Sequence, residues 1–224
     1  GVYSLADRLT KRFPGLLMEG CSGGGGRFDA GMLYYFPQIW TSDNTDAFER
    51  AEIEYGTSLC YPPAVMSAHV SVCPNHLTGR TTPLAARYAV ASLCMFGYEL
   101  DLTKLSAEER GMLAKQIVSY REIEELVLGG DTYRLARMKE DGMFAMSLVS
   151  KEKDRAYVAG VTGQTEANAL QRRLKVQGLD DARMDRIRET NTLVSGRALR
   201  TVGVLLPQLK EDFMPIEMHI AAEM

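Results

Sequence analysis

Apolar and polar positions trade places along the chain in two different textures. Up to about residue 130, short apolar runs alternate with stretches of helical spacing. "YSLADRLTKRF" spaces its apolar residues as one face of a helix, and Pro14 follows its end. "GLLMEG" is a brief apolar run bounded by glycines, which predicts a buried parallel strand. "GMLYYFPQIW" leads into a second short run, and "DAFERAEIEYG" reads as a helix with Asp46 near its start. "SLCYPPAVMSAHVSV" reads as extended, with Pro62-Pro63 limiting its ladder. "PLAARYAVASLCMF" reads as a helix and "GYELDL" as a strand. "SAEERGMLAKQIVSYREIEELVLGG" is the clearest helix. Ser106 and Glu109 make a capping box, Leu113, Ile117, Tyr120 and Val127 mark one face, and Gly129-Gly130 ends it. Strand and helix in alternation predict an α/β fold with a parallel sheet. About four such units make half of an eightfold barrel.

After Asp131 the texture changes. "TYRLARM", "GMFAMSLVS", "RAYVAGVTG", "RRLKVQGL" and "ALRTVGVLLP" are short, partly alternating stretches. "KEDG", "KEKD", "GLDD" and "VSGR" supply turns between them, the spacing of a small antiparallel β-sandwich. "DDARMDRIRETN" reads as a loop or a helical turn. The expected division is therefore 1–130, half of a (β/α)8 barrel, and 131–224, an antiparallel sandwich.

Composition narrows the function classes. The 224 residues suffice for one large domain or two modest ones. With 25% charged residues and a net charge of −3, neither a nucleic-acid nor an anionic-membrane partner is expected. No apolar run has the length of a spanning helix. Cys21, Cys60, Cys73 and Cys94 form no C-x-x-C pair and no zinc spacing. They read as free, partly buried thiols of a reducing compartment, with Cys60, Cys73 and Cys94 in the core. No signal-peptide pattern opens the chain, so a cytoplasmic location is expected. The chain begins with Gly1 inside what reads as a helix, which suggests that this is not a natural start. His69 and His76 lack a zinc-binding spacing and read as hydrogen-bonded structural residues. No metal and no cofactor are implied.

Two stretches carry candidate chemistry. "CSGGGGRFD" follows a strand but lacks the Lys of a P-loop and the glycine spacing of a dinucleotide fold. It is either a flexible loop or a bare backbone that a ligand can approach closely, and the end of a barrel strand favours the second. "WTSDNTD" puts Asp43 just past a strand run and three residues after Trp40, the single tryptophan. A carboxyl beside Trp and Ile is suited to general-acid work, and an indole face can pack on a sugar ring. The plainer reading is that one aspartate caps the next helix. That reading is preferred for Asp46, and for Asp43 the two stand level.

The stretches "GLLMEGCSGGGGRFDAGMLYYFPQIWTSDNTDAFER", "YGTSLCYPPAVMSAHVSVCPNHLTGRTTPLAAR" and "FGYELDLTKLS" together closely resemble the microbial α-galactosidases of glycoside hydrolase family 36. The resemblance runs in order through most of residues 1–130. It implies a (β/α)8 catalytic barrel followed by an antiparallel β domain, and retaining hydrolysis of terminal α-galactosides such as raffinose, stachyose and melibiose. By the same resemblance Asp43, the first Asp of S-D-N-T-D, is the general acid/base. Trp40 is a galactose-contacting aromatic, and Cys21, Gly23 and Gly24 belong to the loop against the sugar. Gly20 and Ala30 depart locally from the usual motif, which has Asn and Pro there. The family's nucleophile, the Asp of a K-W-D-x-N segment, has no counterpart here. The chain is therefore expected to be the C-terminal part of such an enzyme, inactive alone, and either a homo-oligomer or associated with the missing N-terminal portion. The alternatives are a non-catalytic galactoside-binding or assembly module, or a related retaining enzyme of other sugar specificity.

Overall fold

Four short strands lie parallel in chain order and carry the helices that separate them in sequence. The computed structural model describes residues 1–168, 170–208 and 210–223. Helix α1 (Val2–Arg12) precedes strand β1 (Glu19–Gly20), the one-turn segments α2 (Ser22–Gly25) and α3 (Ala30–Leu33), and strand β2 (Gln38–Trp40). Helix α4 (Ala47–Thr57), β3 (Met66–Ser71), α5 (Leu84–Ala91), β4 (Met95–Glu99) and the long α6 (Ala107–Gly129) complete this unit. The sheet order is β1-β2-β3-β4, with Gly20 opposite Ile39, Trp40 opposite Ser67, and His69 opposite Gly97. Strand β3 sorts its side chains by the pleat: Met66, Ala68 and Val70 enter the main core, while Ser67, His69 and Ser71 point to the other face.

The second unit contains β5 (Asp131–Ala136), the turn α7 (Met138–Asp141), β6 (Met143–Val149), β7 (Arg155–Thr162) and β8 (Arg173–Leu174). It continues through β9 (Met184–Ile187), β10 (Thr192–Ser195), α8 (Gly196–Thr201), β11 (Val204–Leu205) and β12 (Pro215–Ala222). Six strands form one antiparallel sheet of order β10-β9-β12-β7-β6-β5, and β8 and β11 form a separate two-stranded ribbon. One face of the large sheet, with Phe144, Met146, Leu148, Tyr157 and Val161, shares a core with Tyr88 of α5 and Ile123 of α6. The other face buries Val158, Ile187 and Ile220 under Leu174, Val176, Leu199 and Leu206. The second layer is thus a ribbon, a short helix and loops, rather than a second full sheet.

Several local expectations change. Strand β1 is two residues long, and Leu16 and Leu17 ahead of it are exposed rather than buried in a strand. Pro62 and Pro63 lie in a short 3-10 turn before β3, where a missing N–H breaks no ladder bond. Met95 and Phe96 belong to β4, because α5 stops at Ala91. On α6 the buried stripe is Leu113, Tyr120, Ile123, Leu126 and Val127, and Ile117 is on the exposed side. The Ser106–Glu109 capping box is present as expected. "DDARMDRIRETN" enters the β9–β10 hairpin instead of a helical turn. Strand β12 is central to the large sheet, a place its apolar alternation at Ile216, Met218 and Ile220 allowed. Cys60 is exposed, Cys73 is half-buried and Cys94 is in the core. Among the described residues no helix is long and apolar enough to cross a membrane.

Candidate functional site

Pairing of Glu19 with Gln38 and of Gly20 with Ile39 brings the chain out of β1 and β2 at one level. Cys21 therefore arrives beside Thr41–Asp43. Its thiol points at the Asp43 carboxylate, with Sγ 3.8 Å from Oδ1, and both residues are exposed. The turn that follows is left-handed, with φ of +67°, +72° and +89° at Gly23, Gly24 and Gly25. A Cβ on Gly24 would lie 2.7 Å from the Asp43 nitrogen, and one on Gly25 would lie 3.1 Å from the carbonyl oxygens of Trp40 and Thr41. These glycines are bare because protein backbone presses on them. A Cβ on Gly23 would meet nothing within 4 Å, so its side of the turn is the open one.

The two aspartates of "SDNTD" separate cleanly. Asp46 is the N-cap of α4: its Oδ1 accepts from the backbone of Phe48 at 2.9 Å and of Glu49 at 3.3 Å. It also accepts from Thr78 Oγ1, and from Arg80 Nη1 at 2.6 Å. Burial by itself would raise its pKa. The hydrogen bonds from Thr78, Arg80 and Glu49, with the Arg80 charge, hold it below the usual carboxylate value instead. Asn75 ties the same loop down by donating to Thr45 Oγ1 at 3.0 Å and accepting from the backbone of Leu77 and Thr78. Asp43 caps nothing. It stands exposed within the Ser42–Asn44 turn, just past the strand end, facing Cys21.

Trp40 is not an open platform. It is 7% exposed, its ring stacks on the His69 imidazole at 4.5 Å, and the Arg50 guanidinium lies 4.4 Å from its centroid. His69 and Arg50 lie against the ring, because the pleat turns Trp40 to the same side as His69. His69 is thus a stacking partner, with Nδ1 3.5 Å from Glu99 Oε2. His76 is exposed on its loop.

Arg50 is the residue that sequence reasoning missed. It is 2% exposed, and its guanidinium donates to the carbonyls of Ser42 and Asn44, to Thr41 Oγ1, to the Ser67 carbonyl and to Glu54 Oε1. Its signal was in the helix period. Ala47, Arg50, Ala51 and Glu54 are spaced i, i+3, i+4 and i+7, so the ion pair occupies the buried stripe of α4. Burial pushes the Glu54 carboxyl up to about 7, and the nearby Arg50 charge only partly offsets this.

Residues 1–130 match the Melibiase family model, and residues 143–220 match the glycosyl hydrolase family 36 C-terminal domain. The chain belongs to glycoside hydrolase family 36. It is 46% identical over 222 residues to alpha-galactosidase AgaA of Geobacillus stearothermophilus, covering 99% of this chain and 30% of that protein. It is 44% identical to alpha-galactosidase Mel36A of Lactobacillus acidophilus over the same shares of the two chains. Among solved structures, the galactosidase domain of the alpha-galactosidase-sucrose kinase AgaSK superposes with a TM-score of 0.97 at 43% identity, covering 99% of this chain and 31% of that one. An AgaA double variant in complex with raffinose superposes with a TM-score of 0.96 at 44% identity and the same coverage. This family 36 chain spans about 30% of the length of the relatives it matches. Its α/β unit and antiparallel sheet have the architecture of those structures.

Proposed function

We propose that this chain is the acid/base part of a retaining α-galactosidase, with Asp43 as the proton donor and acceptor. The carrying observation is the contrast between the two aspartates: Asp46 is spent on capping α4, whereas Asp43 is exposed, free of capping and faced by the Cys21 thiol. In this reading residues 1–130 are half of a (β/α)8 barrel, residues 131–224 a β domain, and Asp43 stands at the carboxyl rim of the strands. The galactose ring lies on the open side of the turn, against Gly23 and Gly24, with Cys21 contacting both sugar and acid.

Chemically, the protonated Asp43 gives its proton to the glycosidic oxygen as the C1–O bond breaks, and the aglycone leaves as an alcohol. A second carboxylate takes C1 as a glycosyl ester. The Asp43 carboxylate then removes a proton from water, whose oxygen displaces that ester and restores both carboxyl groups. The nucleophile must lie about 5–5.5 Å from Asp43 in a retaining enzyme. This reading gives that role to a K-W-D-x-N segment that the 224 residues do not contain, so the chain alone is expected to be inactive and to work in association with that portion.

The test uses an aryl α-galactoside. The isolated chain should show no turnover. An active α-galactosidase carrying the chain should lose about 10²–10⁴-fold with Asp43→Asn on substrates with poor leaving groups. Turnover by the isolated chain that vanishes with Asp43→Asn would overturn the division of labour. Unchanged activity of Asp43→Asn in the active enzyme would overturn the assignment of Asp43.

A further inference from the structure

Asp43 poses a mechanical problem. Strand β2 ends at Trp40 and α4 begins at Ala47, so Asp43 sits on a short excursion that no ladder bond holds. The hydrogen bonds from Asn44 to Ser42 Oγ and from Asp46 to Asn44 Oδ1 shape the turn locally. They do not tie it to the sheet. A proton donor has to be held to a fraction of an ångström, because a small misplacement costs about 10²-fold in rate.

One buried guanidinium supplies the restraint. Arg50 Nη1 donates to the Ser42 carbonyl at 3.1 Å and to the Asn44 carbonyl at 3.4 Å. The first oxygen belongs to the peptide bond that enters Asp43, and the second lies one residue beyond it. The two contacts therefore bracket the backbone rotations of Asp43 itself. Nη2 donates to Thr41 Oγ1 at 2.6 Å and to the Ser67 carbonyl of β3 at 3.2 Å, which anchors the bracket to the next strand. Nε donates to Glu54 Oε1 at 3.1 Å, and the Trp40 ring lies against the fork. Three nitrogens of one planar guanidinium thus serve five acceptors, which a lysine ammonium cannot reproduce.

We propose that Arg50 is the positioning residue of the acid/base: its fork sets the conformation of the Thr41–Asn44 excursion, and Trp40 and Glu54 hold the fork. The Arg50–Trp40–His69 stack then lies behind the site and serves the carboxyl, rather than facing the sugar. The proposal rests on the reading of Asp43 as proton donor, and it makes no demand on which α-galactoside is cleaved.

The experiment compares kcat/KM for two substrates in an active α-galactosidase carrying this chain. Cleavage of raffinose releases a sucrose hydroxyl, an alkoxide leaving group that needs a proton; 2,4-dinitrophenyl α-galactoside releases 2,4-dinitrophenolate, which leaves without one. Arg50→Lys should lower the raffinose value about 10–100-fold and the dinitrophenyl value by no more than about threefold. Loss of folded enzyme lowers both values together and leaves their ratio alone, so the ratio separates positioning from stability. Thr41→Val removes one of the five acceptors and leaves the guanidinium in place. It should move the ratio the same way by about threefold, and it decides the matter if Arg50→Lys does not fold. A ratio that stays at the wild-type value in the folded variants overturns the proposal, whatever the absolute activity. Asp43→Asn is the reference and should shift the ratio by about 10²–10⁴-fold. If Asp43→Asn leaves it unchanged, the underlying assignment of Asp43 fails instead.

Discussion

Asp43 and Asp46 carry the same carboxyl in opposite settings, and their setting decides what each can do. Asp46 has its charge satisfied by the start of α4, Thr78 and Arg80. Asp46→Ala should cost roughly 2–3 kcal/mol in urea unfolding, since it removes a cap and leaves Arg80 without its nearest carboxylate. The pH dependence has a definite sign. The folded pKa of Asp46 is lowered, so its stabilisation is complete above the ordinary value of 3.8 and fades as pH falls through the folded value. The gap between wild type and Asp46→Asn should therefore narrow in acid; a constant gap would mean that the carboxylate charge adds nothing. Glu54 has the reverse sign. Its carboxyl rises from 4.5 to about 7, so its own contribution to stability is fullest below pH 4.5 and is lost as pH climbs through 7. Glu54→Gln should flatten that slope when unfolding is followed between pH 5 and 8. Asp185, pushed up to about 6 by burial, contributes equally to both proteins and cancels in the comparison.

At the scale of elements, the glycine-rich turn separates two reasons for having no side chain. Gly23→Ala meets open space but must hold φ at +67°, which should cost roughly 1–2 kcal/mol. Gly24→Ala carries the same backbone strain and also drives a methyl to 2.7 Å from the Asp43 nitrogen, so it should cost about 1–3 kcal/mol more. It should also shift the Asp43 amide resonance while Gly23→Ala leaves it in place. Equal losses and equal spectra would mean that the turn does not press on the excursion. These local features are also where the sequence was most readable. The α6 capping box and the Asp46 cap follow from side chains that serve backbone a few residues away, and such chemistry needs no knowledge of the fold. Burial was less readable. Ile117 has the right helical spacing yet faces out, and Leu16 and Leu17 form an apolar run yet stay exposed. Periodicity says which residues can share a face, not what covers it. The surroundings of Trp40 show the same limit: its type suits a sugar, and nothing in the sequence says that His69 and Arg50 come from other elements to lie against its ring. Arg50 was hidden by its charge, although its place in the buried stripe of α4 was visible.

Across the whole molecule, the parallel unit and the antiparallel sheet do not stand on separate cores. One continuous cluster runs from Ala51, Met66 and Val70 through Tyr88 and Ile123 to Phe144, Met146, Tyr157 and Val161. Ser92, just past α5, and Tyr157 of β7 share a buried hydrogen bond of 2.8 Å across the same boundary. Helix α5 also packs on β3, next to the strand that delivers Trp40 and Asp43. The sheet therefore braces the site from behind, and damage to one unit should be felt in the other. The single tryptophan makes this measurable, because Trp40 fluorescence reports only on the parallel unit. Phe144 of β6 is fully buried, and Phe144→Ala should cost roughly 3–5 kcal/mol. If the shared core couples the units, the Trp40 transition in urea should shift by that full amount and coincide with the loss of far-ultraviolet circular dichroism, in wild type and variant alike. A Trp40 transition that holds its midpoint while circular dichroism splits into two steps would mean that the parallel unit keeps its site without the sheet. The antiparallel unit would then be an attachment to the parallel unit rather than part of what holds Asp43 in place.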